Sequence, residues 1–218
     1  PDNCVLKFNG ISYVTFNNFT INNTNTSGWN RVVSFLGTNT YITLKNNTLN
    51  GFKGTTTSNW ASVIYNPSGV GTEFCRIDSN TINNGSYSIY WYGSGTAARE
   101  EGNMITNNTM NDFWYAGVWG YYQEKGSFSG NTMVGDVASS TSPYGVRSWY
   151  NNEMSFNSND ITLYGTSTTY GIYIYYGVEA KVNNNKITTN SPTTNYGMYL
   201  YRCIGTTTDK VEVTNNMI

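Results

Sequence analysis

Thirteen carboxylates, twelve Lys and Arg, and no histidine bound the chemistry open to this 218-residue chain. The commonest general base and metal ligand is missing, so acid–base work would fall to paired carboxyl groups. One pair suggests itself. Asp112 in MNDFW and Asp136 in MVGDV follow matching points of adjacent repeats, and would meet near Trp114 and Tyr115 in an acid–base or calcium role. The pattern brings no basic residue to them, and they are the only catalytic candidates. Glu100 and Glu101, beside Arg99 in TAAREEGN, read as a solvated loop. Glu153, Glu179 and Lys210 share one outward slot, and Lys181 and Glu212 another. Stacked repeats would set Lys181 against Glu212 and Glu179 against Lys210, a surface charge ladder of at most ~1 kcal/mol per pair. Cys4, Cys75 and Cys203 lack metal-ligand spacing. They lie coils apart, whereas a disulfide needs α-carbons within about 7 Å. Three thiols are expected, with Cys75 buried; no metal site and no cofactor are expected.

The aromatic residues are harder to set aside. SIYWY (88–92), GVWGY (117–121), GVRSW (145–149), GIYIY (171–175) and GMYLY (197–201) repeat one pattern, with SVIY (62–65) and RVVSF (31–35) as related copies. Alternation with a period of two puts Val32, Val63, Ile89, Val118, Val146, Ile172 and Met198 inward. It puts Tyr90, Tyr92, Trp119, Tyr121, Trp149, Tyr173, Tyr175, Tyr199 and Tyr201 outward on one face. Stacked one above another, such rings would stabilise a sheet. They would equally receive the C–H faces of pyranose rings, with tyrosine hydroxyls and asparagine amides bonding sugar hydroxyls. Arg147 and Arg202 are the cations placed to hold an anionic sugar.

What positions these residues is a repeat. Thirty-three asparagines stand against a single glutamine, Gln123. Asn tolerates left-handed backbone and bonds its own chain locally, so the imbalance marks recurring turns. YVTFNNFTI (13–21), YITLKNNTL (41–49), CRIDSNTI (75–82), NMITNNTM (103–110), GSFSGNTM (126–133), MSFNSNDI (154–161), AKVNNNKI (180–187) and VEVTNNMI (211–218) align. All but the first, which has Phe19, end in Asn, any residue, then an aliphatic. Phe16, Leu44, Ile77, Ile105, Phe128, Phe156, Val182 and Val213 fall inward three residues before that position; the chain bends at the Asn itself. The mean period is about 28 residues. That is too short for a propeller blade of roughly 40 residues, and no single repeat buries a core alone. The reading is an all-β, right-handed parallel β-helix of about eight coils, each rising ~4.8 Å, with an Asn ladder and an outward aromatic face.

Charged residues are 11% of the chain and the net charge is −1. That excludes the clustered basic surface a nucleic-acid partner needs. No apolar run reaches the ~18 residues of a membrane span.

The stretches NNTLNG, SNTINNGSYSIYWYGS, YGIYIYYG and YGMYLYRCIGTTTDKVEVTNNMI resemble right-handed β-helix repeats of the pectin-lyase-like superfamily, over essentially the whole chain. The likeness is to segments of long secreted or surface-displayed proteins of Bacteroidetes-type bacteria. It implies an extracellular or bacterial cell-surface location and a larger parent with flanking domains. Residues 1–218, which begin at Pro1 and end in mid-repeat, read as one β-helix segment of it. That superfamily holds lyases, hydrolases, epimerases and adhesive shafts. Missing histidine and scattered carboxylates favour a noncatalytic shaft or adhesin segment that displays or binds polysaccharide. A polysaccharide lyase or glycoside hydrolase is the alternative.

Overall fold

The computed structural model describes residues 3–23, 25, 30–137 and 140–218; Pro1 lies outside them. Within them the chain is a parallel β-solenoid of about seven turns, one fewer than the motif count implied. Three sheets run along it. The first has eight long strands, from Cys4–Asn9 and Arg31–Leu36 to Thr168–Tyr175 and Thr194–Tyr201. The second holds the three-residue strands of the repeated motif, such as Thr43–Lys45 and Arg76–Asp78. The third follows each Asn corner, from Thr20–Asn22 to Lys186–Asn190. The ladders between successive turns are parallel, and the motif register is kept. Ile21, Leu49, Ile82, Met110, Met133, Ile161 and Ile187 form one inward column.

The asparagine ladder runs through Asn47, Asn80, Asn108, Asn131, Asn159, Asn185 and Asn216. Each side-chain Nδ2 donates to the Oδ1 of the next rung at 2.9–3.2 Å. Each Nδ2 also donates to a backbone carbonyl of the coil before, for example Asn131 to Ile105 at 2.9 Å. Each Oδ1 takes in addition a backbone N–H, as Asn159 takes that of Asn131 at 3.0 Å. The strained corner is one residue earlier than the sequence pattern implied. Asn18, Asn46, Ser79, Asn107, Gly130, Ser158, Asn184 and Asn215 have φ between 53° and 68°. The ladder residue must stay extended to aim its amide along the rod. Its neighbour therefore makes the left-handed turn, which Asn, Ser and Gly tolerate best.

A second departure lies in the long strands. Val33 and Ile64 register with Ile89, Val118, Val146, Ile172 and Met198. Val32 and Val63 are buried, as expected, but sit one row earlier, beside Ser88, Gly117, Gly145, Gly171 and Gly197. Two consecutive residues thus face the core where the strand enters its sheet. Size is shared out across the interior at this row. A Cβ on Gly145 would come within 2.6 Å of Ile161, and one on Gly171 within 2.3 Å of Ile187. Where the row carries Val63 instead, the small residues are Gly51 and Gly85 opposite.

Glu100 is the largest surprise. Far from a solvated loop, it is 1% exposed, in a short strand paired with Gln123. Asn66 Nδ2, the Thr72 amide, Trp91 Nε1 and Gln123 Nε2 converge on its carboxylate at 2.9–3.2 Å. Gln123 continues the column to Asn151, whose Oδ1 takes the Gln123 amide N–H at 2.7 Å. This is a second polar ladder, at another corner, with one ionisable rung. Burial pushes the Glu100 carboxyl up to about 7, against the pull of its four donors.

Cys75 is buried and Cys203 half-buried, both as thiols. Burial pushes the Cys75 thiol up to about 12. Lys181 registers with Glu212 as expected, and Glu179 and Lys210 line the same shallow groove.

Candidate functional site

The aromatic face is built on the first sheet from its strand Tyr87–Tyr92 onward. Its outward rows form three columns. Tyr90, Trp119, Arg147, Tyr173 and Tyr199 share one row. Tyr92, Tyr121, Trp149, Tyr175 and Tyr201 share the second. The sequence pattern missed the third, of Tyr87, Ala116, Tyr144, Tyr170 and Tyr196. Strict alternation from Ile89 would turn Tyr87 inward, and the double inward step at the strand entry is what turns it out. Tyr115 leans over Ala116 and fills that gap, 5.4 Å from Tyr87 and 5.7 Å from Tyr144.

The coil rise sets the spacing of the rings. Tyr173 and Tyr199 stack at 5.1 Å, Tyr175 and Tyr201 at 5.0 Å, and Tyr144 and Tyr170 at 4.9 Å. Beside the columns, Tyr122, Tyr150 and Tyr176 occupy a left-handed corner, with φ of 52–54°. A bulky residue there carries strain. Their rings stack at 5.6 and 5.0 Å, which offsets part of it.

All nine expected aromatics project from the outer side, but they do not form an evenly exposed surface. Trp119 is only 7% exposed and Tyr121 8%, because neighbouring rings cover them. Tyr90, Tyr92, Trp149, Tyr173, Tyr175, Tyr199 and Tyr201 are half-buried, and Tyr196 at the far end is exposed. At the near end the segment before the strand Ser62–Asn66 folds onto the face. Tyr87 Oη donates to the Thr57 carbonyl at 2.6 Å. Thr57, Ser58 and Asn59 then form the polar rim of a cleft of about 310 Å³, whose aromatic wall is Tyr87, Tyr90, Tyr115 and Trp119.

Arg147 takes a ring's place in its column. Its guanidinium carbon lies 3.8 Å from the Trp119 ring centroid, 4.2 Å from Trp149, 5.1 Å from Tyr144 and 5.7 Å from Tyr173. Such contacts offset the cost of desolvating the cation. Arg202, at the last turn, sits over Tyr176 and Tyr201 and donates to the Tyr176 hydroxyl. Burial pushes the Tyr90 phenol up to about 12, and Tyr87, Tyr121 and Tyr144 move the same way, with Arg147 opposing each shift. These four phenols are therefore held as neutral hydroxyls, which can donate and accept hydrogen bonds.

The two carboxylates singled out in the sequence lie elsewhere. Asp136 is buried and takes the Lys53 ammonium at 2.6 Å. Asp112 is exposed, at a left-handed residue of the bulge between Asn111 and Phe113. The hydrogen bond to Asp136, helped by the charges of Asp136 and Asp112, raises the Lys53 pKa. So a basic residue does accompany them, from a segment the motif alignment did not cover. It holds Asp136 in an ion pair.

Parallel coils, an inner amide ladder and a layered outer face define a β-solenoid with one aromatic side. The family model for the right-handed β-helix region matches residues 61–218, and the chain belongs to that family. Among solved structures, the Streptococcus pneumoniae surface protein and adhesin PfbA is similar at 14% identity. The match covers 93% of this chain and 67% of that one, with a TM-score of 0.43. No curated protein matches the chain. Among the described residues no helix is long and apolar enough to cross a membrane.

Proposed function

We propose that this chain is a noncatalytic β-helix segment of an extracellular or cell-surface protein, and that it holds polysaccharide on its aromatic face. The observation that carries the reading is the run of outward Tyr and Trp over five consecutive coils. A polar strand face would suffice for solubility, whereas a large aromatic surface marks contact with a partner. The geometry suits a glycan. The rings stack on one another at about 5 Å intervals, so the face offers a sugar their apolar edges and their hydroxyls. Each contact is weak, and several acting together are needed for useful affinity. Secretion, flanking domains and the role of a shaft or adhesin rest on the family resemblance.

The test is a panel of neutral and uronate-containing polysaccharides, read for binding and for new reducing ends or unsaturated products. Binding without products is expected. Products would instead support a lyase or hydrolase. No binding across the panel, with face variants that only melt earlier, would reduce the face to internal stacking.

A further inference from the structure

We infer that the aromatic face selects glycans carrying an anionic substituent, a carboxylate or a sulfate ester, and that Arg147 is the residue that seats it. The inference rests on the glycan-binding reading and names the ligand class.

The argument starts from charge. In the three columns between Tyr87 and Tyr201, Arg147 is the only charged side chain. Among the described residues no carboxylate forms an ion pair with it; the ion pairs there lie at Lys45, Lys53, Lys125 and Lys186. Arg147 is half-buried, and a cation partly withdrawn from water without a counter-ion is costly. Four rings within 5.7 Å offset part of that cost, but rings engage the flat face of a guanidinium and leave its N–H groups to find acceptors.

Two donors in this neighbourhood have no acceptor. Arg147 Nε is buried without a hydrogen-bond partner, and so is Nε1 of the adjoining Trp149. Tyr115 accepts a hydrogen bond from the guanidinium, and burial keeps its phenol and those of Tyr144 and Tyr173 protonated. A cluster rich in donors, carrying one uncompensated positive charge, is complementary to an oxyanion. Carboxylates and sulfates accept from arginine in the two-point geometry that makes such bonds strong. Access is at hand, because Tyr115 and Trp119, which touch Arg147, also line the cleft under Thr57–Asn59. A sugar ring against that wall would bring a substituent toward the cation.

The test uses the whole 218-residue chain and two matched pairs of polymers: polygalacturonate with its carboxyl-reduced product, and dextran sulfate with dextran. Affinity electrophoresis and tryptophan fluorescence read binding at low and raised salt. The acidic member of at least one pair should bind ten-fold or more tightly than its neutral partner, and the pair that does so identifies carboxylate or sulfate. Arg147→Gln should bring the acidic polymer down to the neutral level, and Arg147→Lys should keep the preference. Melting curves confirm that each variant is folded at the temperature of the assay; if Arg147→Gln is not, the wild-type pairs and Arg147→Lys decide. Equal affinity for acidic and neutral partners overturns the inference, as does an Arg147→Gln variant that weakens both alike, and either result leaves glycan binding standing. Failure of all four polymers to bind overturns the glycan-binding reading as well.

Discussion

The inner asparagine ladder and the outer aromatic layer both stack like on like at the rise of one coil, yet they do opposite work. In the ladder every amide group meets its partner inside the rod, and seven rungs from Asn47 to Asn216 repeat one arrangement. Nothing is left over for a ligand. In the aromatic layer the rings are held mainly by contact with one another, with single hydrogen bonds at Tyr87 and Tyr176. Exposure rises along the face, from 2% at Tyr87 to 37% at Tyr196, and donors around Arg147 and Trp149 stay unpaired. A hydrogen-bonded column fixes register because it tolerates no gap. A column of rings admits an Ala at 116 or an Arg at 147 and repacks around it.

The comparison breaks first at Trp119. If the buried part of the layer acts as a second core, Trp119→Ala should cost about 3–4 kcal/mol, as truncating a large buried side chain does. Urea unfolding measures it. A loss below about 1 kcal/mol would make the face a surface throughout.

The ladder comes next. Asn131→Leu takes the side-chain partner from the Ile105 carbonyl and from the Asn108 backbone N–H inside the rod, and removes one of two bonds each from Asn108 Nδ2 and Asn159 Oδ1. The expected cost is about 2–3 kcal/mol. A loss under about half a kcal/mol would mean that water replaces the rung, and the contrast between sealed ladder and open layer would fail.

The second polar column sharpens the point through pH. An unfolded chain releases the Glu100 proton near the ordinary value of 4.5, and the folded chain at about 7, because burial disfavours the anion. Between those values the folded state holds the extra proton. Stability is therefore full below pH 4.5, falls as pH rises to about 7, and is level above, by on the order of 3 kcal/mol in all. Glu100→Gln should flatten the slope across that window. A wild-type profile that rises with pH there would show that the four donors outweigh burial and keep the carboxylate ionised.

The sequence carried one corner of this architecture in full and the others in part. Asn-x-aliphatic at a 28-residue period places the ladder, the second sheet and the third, because a buried amide constrains residue type at every coil. Glu100 escaped because the alignment followed that one corner. Its partnership with Gln123 spans 23 residues, a short coil, and TAAREEGN has the composition of a loop. Tyr87, Tyr144, Tyr170 and Tyr196 escaped because two consecutive inward residues break the period-two rule where the strand begins. Lys53 reached Asp136 from a connection with no repeat of its own. Direction, in or out, was readable for all nine face aromatics. Depth was not, since it depends on which rings lie beside each one.

The smallest effect tests the open end of the layer. Tyr199 is half-buried in the last long strand, stacked on Tyr173 at 5.1 Å and edge-on to Tyr196 at 5.3 Å. It has no coil above it among the described residues, so its loss removes contacts on one side only. Tyr199→Ala should cost about 0.5–1 kcal/mol of stability, the worth of one or two aromatic pairs. It should also weaken glycan binding several-fold if the exposed rings are the platform. Trp119→Ala differs from it in kind, since it damages the fold before it can report on binding. Measured together, the two variants separate packing from recognition. A Tyr199 effect as large as that of Trp119 would mean the layer is core along its whole length. A Tyr199 variant unchanged in both melting and binding would remove this end of the face from either role, and would confine any ligand to the coils around Arg147.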